Sequence, residues 1–520
     1  MFKTKISKEL GQLRYHWGKP RRRRDLEEVR LLDDLHNFED EARYRIDEQT
    51  WSDLDMNFVY RTVDHTQTTL GAQVLWQTLR HPCVSGPVQD EILLKSVSEN
   101  PQKRFAIQKI LASLSREEGY HLPKLLWKDL PHVRISPWIL KGLALLLPLS
   151  AILGFLLWGG FFYLAGFIFV TNCFIEFSHQ KHILPYVRLL STLSKFLNIA
   201  RLFAAAAPHI LDDETIRFFK SNSIGTSTIR RKVSILQISD PLGVTDYFRT
   251  IFLLNVISFS SAVSLINKNK SKLRNLFCGV GAIDLALSTA SFRASLVSFC
   301  TPQFSDDLKS LSTNDIYHPC VSDAIENDLA LHNTNMLVMG SNMAGKSTFL
   351  KTIAVNSILA QSLATVAANS YVAPYFRVMS SIDILDDIKL GKSYYLREVE
   401  TIHRLIKASE TTGPFLFILD EVFRGTNPIE RVAAATSVLR YLGERHLVLA
   451  ATHDIDISTK LGHSYQNAHF EGVLSNDGIS FDHVLKKGRL TSQNAISLLD
   501  YNGYPEEIVR AARNIVGVQK

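Results

Sequence analysis

Two short stretches of the chain hold residues of the right type and spacing to handle a nucleoside triphosphate. The first, "GSNMAGKST" (340–348), places Gly340, Ser341, Asn342, Met343, Ala344, Gly345, Lys346, Ser347 and Thr348 in a Gly-x4-Gly-Lys-Ser pattern. Its glycines let backbone N–H groups converge on phosphate oxygens, and a helix starting at the loop adds its dipole. In that arrangement Lys346 neutralises the β- and γ-phosphates and the Ser347 hydroxyl coordinates Mg2+. The second stretch, "FLFILDEVFRGTN" (415–427), is an apolar run ending in two adjacent carboxylates. Consecutive strand residues point to opposite sides, so the two acids take different tasks. Asp420 is expected to hold the magnesium shell, and Glu421 to orient or deprotonate the attacking water.

The surroundings of these stretches predict the elements that position them. "MLVM" before the loop and "AVNSILAQSLA" after it read as strand, glycine loop and helix. "HLVLAATHD" (446–454) reads as another buried strand with a polar tip, which places His453 to sense the γ-phosphate. No N/T-K-x-D guanine-reading tetrapeptide is present, so ATP with Mg2+ is the expected ligand pair; the purine contacts are not legible in the pattern. The five cysteines (Cys83, Cys173, Cys278, Cys300, Cys320) are scattered without a C-x-x-C pair, so no structural metal is expected and reduced thiols suffice.

A chain of 520 residues with 46% hydrophobic and 21% charged residues has room for several folded domains. Its net charge of +7 suits an anionic partner, nucleic acid or lipid. The run "KPRRRR" (19–24) reads equally as a phosphate contact and as a solvated, positive-inside flank. The first 30 residues are polar and basic, with no secretory signal pattern. From Gly142 to Ile175 there is no charged residue at all. One crossing of a bilayer needs about 20 apolar residues, so this run predicts two short spans folded back at "WGG" (158–160). Arg134 and Lys141 precede the run, and Lys181 and His182 follow it. Basic flanks at both ends predict a membrane hairpin through residues 139–177 with both ends in the cytoplasm. The competing reading is a buried helical pair in a soluble core. The segment 250–267 contains Asn255 and several serines and reads as a buried core helix.

The loop "GSNMAGKST", the strand end "LDEVFRGTN" and the tip "ATHD" together resemble the ATPase domain of the MutS family. "IYHPCV" followed by "ENDLAL" is similar to that family's approach to the loop, with Asn327 at its Asn-Asp position. "GKSYYLREVETI" (391–402) resembles the family's signature segment, in which Ser393 approaches the nucleotide of the partner subunit. "SQNAISLLDYNGYPEEIVRAARNI" (492–515) resembles its closing helices. Upstream, "TVDHTQTTLGAQVLWQTLRHP" (62–82) and "GAIDLALSTASF" (281–292) look like the start and end of its helical core.

The resemblance implies a homodimer with composite ATP sites that acts on DNA. It implies a multidomain fold, a helical, lever-like core followed by an α/β P-loop ATPase domain of ABC/MutS type, and the transmembrane hairpin read from the charge-free run occupies the region where the family's long lever and clamp helices would be expected. The expected divisions are a charged helical segment (1–50), a first core part (51–135), the hairpin (136–180), a second core part (181–317), and the ATPase domain with C-terminal dimerisation helices (318–520). Two departures qualify the likeness. Ala344 stands where the family has glycine, and no segment resembles the mismatch-reading or connector domains. The one Phe-x-Glu string, Phe174-Ile175-Glu176, lies in the hydrophobic run and is not expected to probe mismatches. The expected function is therefore a membrane-tethered, DNA-acting ATPase with its ATPase domain in the cytoplasm. The alternatives are an ATP-regulated membrane scaffold, or an ABC-like membrane machine, that binds no DNA.

Overall fold

The computed structural model describes residues 17–20, 24–36, 42–86, 88–114, 119–130, 135–236, 249, 251–341, 344–382, 394–475, 478–489, 499 and 503–516. The chain forms two compact units. One holds Met1–Glu39, Asp64–Gln77 and Ile92–Ser291; the other holds Asp40–Val63, Thr78–Glu91 and Phe292–Lys520.

The first unit is helical. Its central elements are α1 (Pro137–Leu156), α2 (Phe161–Ala204), α3 (Asp213–Ser223), α4 (Thr226–Leu236), α5 (Leu254–Lys268) and α6 (Lys270–Arg293). One apolar core joins them, with Phe196, Phe203, Phe219 and Phe277 fully or almost fully buried. Helices α1 and α2 pack together as a helical hairpin, and the chain turns over at 157–160, where Phe155 meets Phe162 edge-on at 5.1 Å. By length and composition, α1 and the segment Phe161–His179 could each cross a bilayer. Leu145, Phe155, Tyr163, Phe167, Phe174 and Phe177 each expose more than two thirds of their surface. Helix α6 is also long and apolar enough, but most of it is buried in the core. The segment read as a core helix forms α5, whose Val256, Phe259, Val263 and Ile266 are buried.

Several polar groups inside this unit are tied into hydrogen bonds across the chain. The buried Asp284 of α6 accepts from the backbone N–H of Gln67 (2.8 Å) and Thr68 (2.7 Å) and from the Thr68 hydroxyl (2.6 Å). Burial raises the Asp284 pKa against the pull of those bonds. Of the basic run 19–24, Arg24 is buried: it pairs with Asp64 at 3.4 Å and donates to Thr66 and Thr68. It is a structural ion pair rather than a phosphate contact, and residues 21–23 lie outside the described residues. Glu176 faces α5, where its Oε1 accepts from Asn255 at 2.7 Å.

The second unit is α/β. Its strands are β1 (Gln303–Phe304), β2 (Ser310–Ile316), β3 (Asn327–His332), β4 (Asn335–Met339), β5 (Ser370–Ala373), β6 (Arg377–Ser381), β7 (Phe415–Asp420), β8 (Leu447–Thr452), β9 (Tyr465–His469), β10 (Gly472–Ser475), β11 (Gly478–Phe481) and β12 (Lys486–Lys487). A six-stranded sheet runs β12-β9-β4-β8-β7-β6, with β9, β4, β8, β7 and β6 parallel and β12 antiparallel at one edge. A four-stranded sheet runs β1-β5-β2-β3. Helices α7 (Lys346–Leu363), α8 (Tyr394–Ser409) and α9 (Pro428–Arg445) follow β4, β6 and β7. Strands β4, β7 and β8 are almost continuously buried, as expected of parallel strands covered on both faces.

The units interleave in the sequence in a way that differs from the expected divisions. Residues 42–63, expected to be split between an N-terminal segment and the helical core, instead group with the α/β unit, and the helix Glu48–Asp53 lies against β6 at the edge of the six-stranded sheet. Tyr44 bonds to the backbone of Val378, and Asp53 accepts from the Ser380 hydroxyl (2.8 Å) and the Ile382 N–H (3.0 Å). Asp47 pairs with Arg404 of α8. Residues 292–317, expected in the core, likewise join this unit, because β1 and β2 pair with β5.

Candidate functional site

Three parallel strands bring the chemistry to one edge. Register aligns Met339 with Thr452 and Asp420 with Ala451, so β4, β8 and β7 end level with one another. The glycine loop follows β4, His453 follows β8, and Asp420 and Glu421 close β7. Strand β8 lies between the other two, which explains how a histidine from a third segment reaches the carboxylate pair. Ligands of open parallel sheets bind at such carboxyl ends.

The loop has the backbone its glycines imply. Gly340 and Gly345 adopt φ of +145° and +104°, and a Cβ on Gly340 would sit 2.8 Å from the Phe470 carbonyl oxygen. Ala344 is accommodated, with its N–H donating to the Ser341 carbonyl at 3.1 Å. Asn342 and Met343 lie outside the described residues. Lys346 opens α7, is buried, and donates from Nζ to the Gly340 carbonyl at 2.7 Å. Burial lowers its pKa, opposed by the charges of Asp420 and Glu421. Ser347 donates its hydroxyl proton to Oδ2 of Asp420. That contact brings together two hard oxygen donors, the set that Mg2+ prefers, so the residues present fit the cation. Thr348 follows in the same turn and lines a neighbouring cavity.

Glu421 sits in a charged clamp. Its Oε2 lies 2.7 Å from Arg424 Nε, and its Oε1 lies 3.4 Å from His453 Nδ1. The hydrogen bond with His453, aided by the Arg424 charge, holds Glu421 below the usual carboxylate range despite burial. The same bond raises the His453 pKa. Both Glu421 (φ 50°) and Phe423 (φ 60°) occupy the left-handed region, an arrangement that costs on the order of 1 kcal/mol per non-glycine residue. The loop is fixed from two sides. The Glu421 N–H donates to the Ala451 carbonyl at 3.0 Å, and the buried carboxylate of Glu398 in α8 accepts from the N–H groups of Arg424 (2.8 Å) and Gly425 (2.9 Å). Beyond the loop, Asn427 caps α9 through the Glu430 N–H.

Beside the loop lies a cavity of about 360 Å3 lined by Ile316, His318, Ile325, Thr348, Phe349 and His483, among others. Its size lies in the range of small-molecule pockets. Burial pushes the His318 pKa down to about 4, so this ring is neutral near pH 7. Asn327 is at this cavity, and its amide holds the loop that carries His483. Its Oδ1 accepts from the Leu485 N–H at 2.6 Å, and its Nδ2 donates to the His483 carbonyl at 3.2 Å. His483 in turn contacts the Ala344 carbonyl at 3.1 Å. Ser393 lies outside the described residues, and α8 begins at the next residue. Sequence reading did not find Glu398, Arg424 or His483. Glu398 and Arg424 lie inside the quoted motifs, whereas His483 belongs to no local pattern.

Comparison with known proteins fits this geometry. Residues 336–518 match MutS domain V, the family's ATPase domain. The chain is 31% identical over 244 residues to the DNA mismatch repair protein MutS of Pseudothermotoga lettingae, a match covering 45% of this chain and 30% of that protein. It is 32% identical over 223 residues to the protein of the same name from Thermus thermophilus, covering 42% and 27%. Natronomonas pharaonis has another at 30% over 250 residues, covering 46% and 28%. The matches thus span less than a third of each relative's length. Residues 336–518 are thus a MutS domain V, and outside that domain family membership is not carried by these matches.

Proposed function

We propose that the protein is a membrane-tethered MutS-like ATPase that works as a homodimer and couples ATP-driven closure to DNA binding. The observation that carries the reading is the convergence of Lys346, Ser347, Asp420, Glu421 and His453 at the level ends of β4, β7 and β8. Bound MgATP would supply the phosphoanhydride bond and the cation charge that stabilises its cleavage. Ser347 and Asp420 would hold Mg2+, and Lys346 would bind the β- and γ-phosphates. Glu421 would orient the attacking water and accept its proton, with His453 and Arg424 holding the carboxylate ionised until then. The cavity between Ile325 and His483 is the place for the adenine.

Ser393 would complete the neighbouring subunit's site. The outward aromatic residues of α1 and α2 support the membrane tether, and Lys141, stacked on Trp138 at 5.1 Å, suits an interfacial position. DNA rests on the family likeness, and base-by-base mismatch reading is not part of the proposal.

The test is ATP turnover by the full-length protein with and without duplex, mismatched and branched DNA at two salt concentrations. Stimulation that fades with salt supports the reading. Turnover indifferent to every DNA favours the ATP-regulated scaffold. Resistance to carbonate extraction, lost on deleting 139–177, checks the tether.

A further inference from the structure

The positive charge of this chain is concentrated in one place. Residues 177–283 hold 14 Lys and Arg against 5 Asp and Glu, whereas the other 413 residues hold 44 against 46. The whole excess of +7 therefore arises in one stretch of the helical unit. Much of it collects where two helix turns meet. The α3–α4 turn lies against the α5–α6 turn: Asn275 Nδ2 donates to Asn222 Oδ1 at 3.3 Å, and Gly225 sits beside Asn269. Lys220 lies on the last turn of α3, Lys268 and Lys272 flank Asn269, and Arg231 is on the next turn of α4. Arg217, Lys220, Arg231 and Lys268 are exposed, and Lys272 is partly so. Lys270 is excluded because its Nζ pairs with Asp129 at 3.3 Å, and Arg274 because it is partly buried and donates to the Leu126 carbonyl; Arg217 commits only its Nε, to the Asp213 carbonyl of its own helix. The acids of α3, Asp213 and Glu214, and its cap Asp212 are in the first turn, at the opposite end of the helix from Lys220, and Asp129 is paired with Lys270.

Basic residues near a membrane span serve positive-inside topology, but these are too far out for that role alone. Phe196 of α2 packs on Phe277 and Phe203 packs on Phe219, which fixes the level of the basic turns along α2. The apolar segment of α2 ends at His179. At 1.5 Å per residue, Phe196 and Phe203 lie about 25 and 36 Å further along the helix. The Debye length in physiological salt is only about 8 Å, so headgroups at the end of the span are screened from this surface.

We propose that this outer end of the helical unit docks the phosphate backbone of duplex DNA, held clear of the membrane by α2. The inference rests on the DNA-binding, membrane-tethered reading above and gives it a surface. Sequence-independent contact through exposed Lys and Arg predicts an affinity governed by counterion release.

The experiment uses the full-length protein in zwitterionic nanodiscs and a fluorescent duplex of about 30 base pairs, titrated by anisotropy across salt. The variant R217Q/K220Q/R231Q/K268Q/K272Q should bind at least tenfold more weakly, and its salt slope should fall by about four to five. The charge-preserving variant R217K/K220R/R231K/K268R/K272R should bind as the wild type does. If the quintuple variant melts early, R231Q/K268Q provides the same test with a slope change of about two. Wild-type affinity and slope in the glutamine variants would overturn this surface while leaving DNA binding in place. Absence of any duplex binding by the wild type would overturn the DNA reading and this inference with it. Weaker capture of the variant's nanodiscs by phosphatidylglycerol vesicles, at unchanged duplex affinity, would make the surface a lipid contact and overturn the proposal.

Discussion

The Ser347 hydroxyl donates a hydrogen bond to Oδ2 of Asp420, joining the first turn of α7 to the carboxyl end of β7. The two residues are 73 positions apart and come from the two halves of the nucleotide motif. Parallel pairing through β8 aligns the strand ends on which this contact depends.

Removing one oxygen donor should therefore separate metal-dependent from metal-independent binding. Asp420→Asn is expected to weaken MgATP binding about a hundredfold while changing affinity for ATP in EDTA by less than threefold. Isothermal titration with a non-hydrolysable analogue, with and without Mg2+, checks this. Equal losses in both conditions would mean that Asp420 acts on the fold rather than on the cation.

Glu398 positions the loop that carries the hydrolytic carboxylate. Its two oxygens hold the N–H groups of Arg424 and Gly425, next to the left-handed Phe423. Glu398→Ala removes the charged acceptor of two backbone N–H groups, bonds worth about 1.5–3 kcal/mol each. Turnover should fall at least tenfold with little change in ATP affinity, and Glu398→Gln should recover part of it. A matching loss of affinity would contradict this division of labour.

The Glu421–His453 pair predicts a pH signature. His453 is raised above its usual 6.5, so the stabilisation it provides is full below that value and is lost as pH rises through its folded pKa. Glu421 is lowered below 4.5, so its share is present above that value and is lost as pH falls through its folded pKa. Both are charged between those limits. In an imidazole NMR titration, His453 should have a midpoint above 6.5 in the wild type and a lower one in Glu421→Gln. An unmoved midpoint would show that another group sets it.

The strand–loop–helix order around Gly340 and the apolar strand ending in Asp420 were legible because each is a contiguous signature. The pair of apolar helices α1 and α2 was legible for a similar reason: a charge-free run can be recognised without knowing its neighbours. The role of Glu398 was not, since its partners are 26 and 27 residues away and nothing in its helix marks it as a loop anchor. His483 meets Ala344 across 139 residues. The joining of residues 42–63 to the ATPase unit depends on contacts such as Tyr44 with Val378, 334 residues apart. Helical periodicity predicts the helices of that segment but not which sheet they cover.

The most direct measurement compares Glu421→Gln and Lys346→Ala with the wild type in equilibrium ATP binding and single-turnover hydrolysis. Glu421→Gln should bind MgATP with wild-type affinity and hydrolyse it at least a hundredfold more slowly, because only water activation is removed. Lys346→Ala should lose binding itself, since the charge facing the β- and γ-phosphates is gone. Wild-type turnover in both variants would contradict the account: the convergence of β4, β7 and β8 would then not be the site of hydrolysis.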